Sequence, residues 1–324
     1  MHVLVTGGAG FIGSHFVHRM LKAPDVEKVT VLDALTYAGH RHNLADTAPA
    51  LTFVHGNILH APLIDRLMAA HDAVVHFAAE SHVDRSYAAP GTFVSTNVMG
   101  TQILADAAAR HDVTKFVHVS TDEVYGPLAA GRATEESPLL PTVPYAASKA
   151  ASDLVALSFH RTYGLPVCVT RSSNNYGPRQ YPEKVIPLFT ARLLSGHSVT
   201  LHGSGRHVRN WLHVEDHCAG IEAVLRRGRP GEVYNLGGGT DLTGLQLAER
   251  LLALCGAGPD AITYIPDRQA NDLRYAMDCS KAADELGYRP QIPFDAGLAE
   301  TVTWYRKNPH RWAPILEREE FTRA

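Results

Sequence analysis

Residues 6–13 read Thr-Gly-Gly-Ala-Gly-Phe-Ile-Gly and follow directly on a short apolar run. The glycines at Gly7, Gly10 and Gly13 permit a tight turn and let backbone N–H groups approach a pyrophosphate at the start of a helix. Asp33 lies twenty residues beyond Gly13, at the end of a second apolar run. A carboxylate there can bind both hydroxyls of an adenosine ribose and repels a 2′-phosphate. This stretch predicts a dinucleotide-binding fold with NAD, and not NADP, as its cofactor.

Apolar runs and longer helical stretches alternate through the first half of the chain. The runs are apolar on both faces, which is typical of parallel strands buried between two layers of helices. They fall at 3–5, 29–32, 51–54, 73–77, 116–120 and 167–171. The helical stretches between them fall at 13–21, 63–70, 93–110 and 145–163. The alternation predicts an α/β protein with a doubly wound parallel sheet, the Rossmann fold.

The regular alternation ends near Asn174, where prolines and glycines become frequent. This change of texture predicts a smaller, loop-rich lobe that binds the substrate and closes a cleft against the sheet. We expect a NAD-binding Rossmann domain over 1–173, with about 207–236 returning to it. The second domain is expected mainly over 174–324.

Composition excludes several other classes of protein. The chain has 324 residues, 45% of them hydrophobic, which is enough for a full-sized core. Its 30 Lys and Arg nearly balance 33 Asp and Glu, so no basic field exists for binding nucleic acid. The longest apolar runs fall short of the roughly 20 residues that span a bilayer. The four scattered cysteines form no metal-ligand spacing. We expect a reduced, cytoplasmic protein with no nucleic-acid partner, no membrane partner and no metal site.

Tyr145 and Lys149 stand four residues apart and therefore share one face of a helix. A phenol with its ordinary pKa near 10 is a weak base at neutral pH, but an adjacent ammonium stabilises the phenolate. The pair predicts a base that removes a proton from an alcohol during hydride transfer. Without the dinucleotide stretch, the same spacing would fit an exposed pair on an amphipathic helix.

Thr121, Asp122 and Glu123 follow the apolar run at 116–120. Ligands of open α/β sheets bind beyond the carboxyl ends of the strands. Two adjacent carboxylates at such an end indicate acid–base chemistry beyond hydride transfer. The same three residues also suit the N-terminal cap of a helix, because Thr and Asp cap well and acids favour that end.

Further motifs extend this pattern along nearly the whole chain. Besides the stretch at 6–14, Thr121-Asp122-Glu123 and the Tyr145/Lys149 pair, they are Asp-Ala-Leu-Thr-Tyr-Ala-Gly at 33–39, Phe-Ala-Ala-Glu-Ser-His-Val-Asp-Arg-Ser at 77–86 and Asn-Asn-Tyr-Gly-Pro at 174–178. Together they resemble the extended short-chain dehydrogenase/reductase family in its nucleotide-sugar branch, most closely the dTDP-glucose 4,6-dehydratases. Sugar 4-epimerases of this fold keep the Tyr–Lys pair but lack the acids at Asp122 and Glu123.

The resemblance implies a role for each of the five catalytic candidates. Tyr145 would deprotonate the glucose 4-hydroxyl, which Thr121 orients, while Lys149 lowers the pKa of the tyrosine and holds the nicotinamide ribose. Glu123 would then remove H5, and Asp122 would protonate the departing C6 hydroxyl. The implied enzyme is a lyase of deoxysugar biosynthesis that forms dTDP-4-keto-6-deoxyglucose. Its NAD returns the hydride to C6, so it is regenerated in each cycle and stays tightly bound.

The resemblance also implies two sets of binding residues. The cofactor set is Gly7, Gly10, Phe11, Ile12, Gly13, Asp33, Leu35, Thr36, Asn57, Ile58, Phe77, Ala79, Ser81, Thr96, Tyr145, Lys149 and Asn175. The substrate set is Ser81, Thr121, Asn174, Lys184, Val185, Thr200, His202, Arg209, Asn235, Asn271 and Tyr275. Arg209 and Lys184 suit a diphosphate. Asn57, His202 and Asn271 replace the family's usual aspartate, tyrosine and histidine, and these departures lie at the nucleotide end.

Two alternatives stay open beside the dehydratase. One is an NDP-sugar 4-epimerase or decarboxylase of the same fold, against which the Asp122–Glu123 pair argues. The other is a NAD-sensing regulator without catalysis, which would have no need of all five catalytic candidates. The resemblance further implies a homodimer in which the helices at 93–110 and 145–163 form a four-helix interface.

Overall fold

The computed structural model describes residues 1–44, 50–267 and 272–317. The strands of these residues are β1 (His2–Thr6), β2 (Lys28–Asp33), β3 (Leu51–His55), β4 (Ala73–His76), β5 (Lys115–Thr121), β6 (Val167–Ser172), β7 (Asn174–Tyr176), β8 (Val199–His202), β9 (Val208–His213), β10 (Val233–Leu236), β11 (Thr240–Thr243) and β12 (Ile262–Ile265). Strands β1 to β6 lie at the six predicted positions. The predicted α/β class is confirmed.

A seven-stranded parallel sheet forms the centre of the protein, in the order β10-β6-β5-β4-β1-β2-β3. The chain runs outward from β1 in one direction to β3, then crosses to β4 and continues outward the other way. Such a reversal is the switch point of a doubly wound fold, and it creates a crevice at the carboxyl edge of the strands.

The α-helices of the described residues are α1 (Phe11–Met20), α2 (Ala61–Met68), α3 (Val83–Ala88), α4 (Pro90–Phe93), α5 (Gly100–Arg110), α6 (Pro144–Tyr163), α7 (Val185–Leu194), α8 (Val214–Arg227), α9 (Gly244–Cys255), α10 (Ser280–Leu286), α11 (Phe294–Lys307) and α12 (Ala313–Leu316). Short 3₁₀ turns add Arg41–Leu44, Asp122–Tyr125, Pro259–Ala261 and Pro309–Arg311. No helix of the described residues has the length and apolar character that crossing a membrane requires.

The helix predicted over 93–110 contains a π-helical segment, Val94–Met99, directly before α5. Asn97 of this segment is buried, and its amide bonds both backbone groups of Glu80 as well as the Ser148 hydroxyl of α6. The wider turn thus aims one amide at two neighbouring elements, and π segments of this kind are frequent near functional sites.

Apolar side chains cover both faces of the central sheet. Along β1, Val3 and Val5 pack into a cluster with α1 and α8, whereas Leu4 packs into a second cluster with α2, α5 and α6. Successive side chains of a strand point to opposite faces, so a strand covered on both sides is apolar throughout. This explains why the runs in the sequence show no alternation.

The chain after β6 forms two smaller sheets, β11-β9-β7 and β12-β8. Helices α7, α9 and α11 pack on them in a separate apolar cluster. Strand β10 pairs in parallel with β6 and returns to the central sheet. The second lobe therefore remains attached to the central sheet through β10, at the outer edge beside β6.

Candidate active site

A cavity of about 1090 Å³ lies at the carboxyl ends of the central strands, between the sheet and the second lobe. Most of the residues chosen from the sequence line it together. They are Gly7, Gly10, Phe11, Ile12, Gly13, Asp33, Thr36, Asn57, Ile58, Phe77, Ala79, Ser81, Thr96, Thr121, Asp122, Glu123, Tyr145, Lys149, Asn174, Asn175, Lys184, Val185, Arg209 and Tyr275.

Four predicted binding residues do not line this cavity: Leu35, Thr200, His202 and Asn235. Leu35 contributes its backbone N–H to the Asp33 carboxylate at 2.8 Å. Thr200 and His202 lie on β8 in the second lobe. A fifth predicted residue, Asn271, lies outside the described residues.

Asn235 is fully buried on β10. Its amide nitrogen donates to the backbone carbonyls of Ala133 and Asp278 at 3.1 and 3.0 Å, and its oxygen accepts from the Tyr125 hydroxyl at 2.7 Å. These bonds connect the sheet edge to the loops on either side, which is a contribution to the shape of the lobe. The resemblance, which implies a substrate contact for Asn235, gives no indication of this burial.

The glycine-rich turn is shaped as a cradle with no room for side chains. Gly7 has a φ of +71°, and a Cβ on Gly13 would come within 2.3 Å of the Gly7 carbonyl oxygen. Helix α1 begins after Gly10 without any side-chain cap. Its first backbone N–H groups therefore remain available for an anion, and the positive end of the helix dipole favours one there.

Asp33 ends β2 beside this turn, with its carboxylate held by the backbone N–H groups of Ala9 at 2.9 Å and Leu35 at 2.8 Å. Burial raises the pKa of Asp33, while these two bonds oppose the shift. A fixed acceptor next to an anion cradle matches the ribose and pyrophosphate of a dinucleotide. The donor and acceptor set of the described residues thus fits NAD.

Tyr145 and Lys149 lie in the first two turns of α6 and face the cavity. The Lys149 ammonium donates to the Val119 carbonyl at 2.8 Å, which fixes it beside β5. Burial raises the pKa of Tyr145, the charge of Glu123 raises it further, and a hydrogen bond with Thr121 opposes both. Burial also lowers the pKa of Lys149 to about 8. Because burial disfavours both charged forms, the positive charge of an oxidised nicotinamide ring in the cavity would favour the phenolate.

Asp122 and Glu123 lie on the 3₁₀ turn that follows β5, opposite α6. Thr121 caps this turn, because its hydroxyl accepts from the Glu123 N–H at 3.3 Å. Both interpretations of the sequence therefore hold together: the residues form a capped turn and also line the cavity. Burial, and then the charge of Glu123, raise the pKa of Asp122 to about 7. Its Oδ2 atom is buried with no hydrogen-bond partner among the described residues, so this carboxyl can keep a proton to donate.

Cationic side chains stand on the second-lobe side of the cavity. The Lys184 ammonium donates to the Ser81 carbonyl at 2.7 Å, which connects the two lobes. The Arg209 guanidinium lies over the Tyr275 ring at 4.6 Å, and the Tyr275 hydroxyl donates to Asp272 at 2.6 Å. An arginine fixed by stacking presents its N–H groups in a constant direction, as recognition of a diphosphate requires.

Sequence reasoning gave no role to Tyr37, Arg85 and Glu183, which form a contact between the two lobes beside the cavity. The Tyr37 hydroxyl donates to Glu183 at 3.1 Å, and the Arg85 guanidinium lies 3.9 Å from the centre of the Tyr37 ring. Burial raises the pKa of Glu183. Two of the three residues lie inside motifs of the resemblance, but nothing in their spacing indicates that they meet.

No group of three or more His, Cys, Asp or Glu that could hold a metal ion occurs in the parts of the chain that the structure describes. Two of the histidines in these parts of the chain have other partners. His207 lies 3.2 Å from Asp267, and His217 shares a hydrogen bond with the Asn175 side chain at 2.9 Å.

Comparison with known proteins gives a consistent result. A family model described as GDP-mannose 4,6-dehydratase matches residues 4–301. The dTDP-glucose 4,6-dehydratase of Streptomyces antibioticus is 58% identical over 323 residues, which are 98% of this chain and 96% of the relative. That of Actinoplanes sp. is 55% identical over 319 residues, which are 96% of this chain and all of the relative.

Solved structures agree with the sequence relatives. The dTDP-glucose 4,6-dehydratase of Streptomyces venezuelae, crystallised with NAD and dTDP, matches with a TM-score of 0.95 and 55% identity, over 97% of this chain and 100% of its own. A UDP-glucose 4-epimerase of Thermotoga maritima matches with a TM-score of 0.89 but 32% identity, over 95% and 100%. The fold is thus shared with epimerases, while sequence identity is higher with the dehydratases.

Proposed function

The chain belongs to the GDP-mannose 4,6-dehydratase family of nucleotide-sugar enzymes, and within that family we propose that it is a lyase that converts dTDP-glucose to dTDP-4-keto-6-deoxyglucose. One observation carries this proposal. Asp122 is a buried carboxyl whose pKa is raised to about 7, mainly by burial, and it lines the same cavity as Glu123 and Tyr145. Elimination of water from a sugar needs one base and one acid in addition to the group that oxidises the alcohol.

NAD binds with its pyrophosphate on the turn at 6–13 and its adenosine ribose on Asp33. When bound, it supplies an oxidised nicotinamide ring that takes a hydride from C4, later gives it to C6, and favours the nearby phenolate through its positive charge. Lys149 holds the nicotinamide ribose from α6. The remaining cofactor residues, Leu35 among them through its backbone, shape the walls around these contacts.

Tyr145 begins the chemistry by accepting the proton of the glucose 4-hydroxyl. Thr121 orients that hydroxyl, and its side chain already shares a hydrogen bond with Tyr145. The Lys149 ammonium stabilises the negative charge that forms on the phenol oxygen. Oxidation of C4 to a ketone then makes the neighbouring C5–H bond acidic.

Asp122 and Glu123 perform the elimination. Glu123 takes the proton from C5, the C6–O bond breaks, and Asp122 gives its proton to the departing oxygen, so that water leaves. When the hydride reaches C6, Glu123 returns its proton to C5. Overall, the C6 hydroxyl and the proton of the 4-hydroxyl leave as water, and the C4 hydrogen moves to C6.

The second lobe holds the nucleotide. Lys184 and Arg209 bind the diphosphate, and Ser81, Asn174 and Val185, which line the same cavity, contact the rest of the nucleotide sugar. Residues 1–173, joined by about 207–236, act as the NAD-binding domain, and 174–324 mainly bind the nucleotide sugar. The return of β10 to the central sheet supports this division.

A homodimer is part of the proposal. Val94 and Met99 lie in the π-helical segment before α5, and Leu154 lies in α6. All three apolar side chains are more than half exposed. Large apolar side chains exposed together on adjacent helices are a common feature of isologous interfaces. We also expect a cytoplasmic location, since all four cysteines are unpaired, which suits a reducing compartment.

Light scattering tests the dimer. Leu154→Glu places a charge on the exposed face of α6 and should yield a monomer at micromolar concentration. Leu140→Glu changes a similarly exposed leucine outside these helices and should leave the mass unchanged. A wild-type monomer, or equal behaviour of the two variants, contradicts the four-helix interface.

Incubation of the purified protein with dTDP-glucose deuterated at C4 tests the activity. Mass spectrometry should find a product that has lost one water and carries the deuterium at C6. A product of unchanged mass with inverted C4 identifies an epimerase. In a parallel incubation with a nucleotide-linked uronic acid, loss of carbon dioxide identifies a decarboxylase. Binding of NAD without turnover of any nucleotide sugar identifies a regulator.

A further inference from the structure

A row of buried polar side chains crosses the sheet beneath the cavity. The Thr6 hydroxyl contacts His76 at 2.7 Å, and the His76 and His118 rings are 5.3 Å apart on neighbouring strands. His118 lies 3.3 Å from one Asp153 oxygen, and the Arg171 Nε donates to the other at 2.9 Å. All five residues are almost completely buried. Burying such groups is costly, so their arrangement calls for a physical explanation.

Asp153 occupies a particular position in this row. It follows Lys149 by four residues on α6, so the two side chains lie on the same face of the helix. Lys149 is only 4% exposed, and a buried ammonium tends to lose its proton unless negative charge compensates it. The charge of Asp153 acts in this direction, opposing the effect of burial on the pKa of Lys149.

Arg171 and His118 in turn keep Asp153 ionised. Burial alone would favour the protonated acid, but the contact with His118 and the charge of Arg171 hold the pKa of Asp153 below its usual range. Arg171 is itself fixed, because its Nη1 donates to the Tyr125 hydroxyl at 2.9 Å. Tyr125 is anchored on Asn235, so the guanidinium that bonds the Asp153 carboxylate is held in place.

On the basis of the function proposed above, we propose that Asp153 is a positioning residue for the proton transfer at Tyr145: its fixed carboxylate keeps the buried Lys149 ammonium charged. Lys149 then stabilises the phenolate, and Asp153 acts only through it, without touching substrate or cofactor. Asp153 thereby sets the upper pH limit of C4 oxidation. No role of this kind follows from the sequence, in which Asp153 is one acid on an amphipathic helix.

The other charged and titratable groups near Lys149 do not replace this carboxylate. His76 on β4 and His118 on β5 are neutral at neutral pH, because burial lowers the pKa of both, that of His118 to about 4. Arg171 on β6 carries the same sign of charge as Lys149. On the cavity side, Tyr145 is the phenol that Lys149 stabilises. The acids of the 3₁₀ turn, Asp122 and Glu123, raise the pKa of Tyr145.

The first experiment isolates C4 oxidation. In a Glu123→Gln background the reaction stops at the 4-ketone, and the rate of cofactor reduction in a single turnover reports this step alone. Asp153→Asn in that background should move the alkaline limb of the rate–pH profile down by about 1–3 pH units, the range for loss of one nearby opposite charge. The KM for dTDP-glucose should not change, because Asp153 lies away from the nucleotide end.

Two matched variants separate charge from packing. Ser152→Ala removes an adjacent buried hydroxyl, which contacts His118 at 3.0 Å, and should leave the alkaline limb in place. Asp153→Glu keeps the charge and should restore much of the limb. A uniform loss of rate in Asp153→Asn at every pH, with an unmoved limb, is the result of a merely structural role and overturns the proposal.

A second measurement needs no variant at Asp153 and keeps the proposal testable if Asp153→Asn does not fold. In NAD-loaded wild-type protein labelled with ¹³C at lysine Cε, the Lys149 signal should titrate at pH 8 or above, and Lys149→Met identifies it. A signal that shows neutral Lys149 at pH 7 overturns the proposal. Failure of the wild type to dehydrate dTDP-glucose would instead overturn the proposed function, so the two failures are distinguishable.

Discussion

The two ionisable pairs of the cavity stand on different supports. Tyr145 and Lys149 project from a 20-residue helix, where their spacing is fixed by the helical repeat. Asp122 and Glu123 lie on a four-residue turn, where their positions depend on the end of β5 and on the Thr121 cap. Burial holds the first pair back from ionising, because it raises the pKa of the phenol and lowers that of the ammonium. In the second pair it keeps a proton on one acid.

This difference separates what the fold shares from what distinguishes the enzyme. In the proposed mechanism the helix-borne pair takes the proton of an alcohol whose hydride passes to NAD, a step that both epimerases and dehydratases need. The acids on the turn are proposed to add an elimination without altering the scaffold around them. A change of reaction therefore needs only different side chains on the short turn after β5, with the rest of the fold kept. This agrees with the TM-score of 0.89 to an epimerase at only 32% identity.

The largest expected effect comes from breaking the helix-borne pair. Tyr145→Phe should lower the overall rate by about 10⁴-fold, the upper end for loss of a general base, because no other group at the 4-hydroxyl accepts its proton. No reduced cofactor should form with dTDP-glucose, as followed by nicotinamide absorbance. Rapid cofactor reduction in this variant would show that another residue is the base.

Breaking the pair on the turn should have a different signature. Asp122→Asn and Glu123→Gln should each lower dehydration by roughly 10²–10⁴-fold, since an amide can neither donate the proton nor accept H5. C4 oxidation should persist, so both variants should accumulate enzyme-bound reduced cofactor together with the 4-keto-glucose nucleotide. If instead both variants lose cofactor reduction as completely as Tyr145→Phe does, the two pairs are not functionally separate.

The raised pKa of Asp122 gives the comparison a pH dependence. Dehydration needs the protonated acid, so its rate should fall about tenfold per pH unit above the pKa, which lies at about 7. Initial rates of water loss between pH 6 and 9 measure this limb. The rate of C4 oxidation in Glu123→Gln serves as the control, because it does not use the acid form of Asp122 and should not follow the same limb.

A smaller effect concerns stability. The pKa of Asp122 is raised on folding, mainly by burial, so the unfolded chain releases this proton at a lower pH than the folded protein does. The free energy of unfolding of the wild type should therefore decrease, relative to that of Asp122→Asn, as the pH rises from about 4 to about 7. The inactive variant should be more stable by about 2–4 kcal/mol above neutral pH. Thermal unfolding without substrate checks this, and a less stable variant at pH 8 would contradict it.

The sheet side of the cavity was predictable because local rules determine it. The turn at 6–13 needs glycine for steric reasons, Asp33 must end the second strand, and the Tyr145–Lys149 spacing follows from the helical repeat. Each rule involves residues close in sequence, and the strand pattern locates them in the sheet. The motifs at 6–14, 33–39, 77–86 and 121–123 locate most of the sheet side of the cavity because they coincide with the loops at one edge of the sheet.

The second-lobe side depends on contacts between distant residues. The resemblance places Asn235 among the substrate residues, but its side chain faces the interior. Its partners there, Ala133 and Asp278, lie 102 and 43 residues away in the sequence. Tyr37, Arg85 and Glu183 meet across similar separations. No periodicity encodes such pairings, because they depend on how irregular segments pack after the sheet has formed.

Asn97 has a consequence for motion. Its single amide joins the segment after β4, through Glu80, to α6, through Ser148, and both Asn97 and Ser148 are almost completely buried. Breaking these bonds without solvent to replace them costs the full desolvation of each group. The floor and one wall of the cavity should therefore fluctuate as a single body, with slow hydrogen exchange at the Glu80 amide. Displacements that admit and release the nucleotide sugar are therefore expected in the second lobe, on the other side of the cavity.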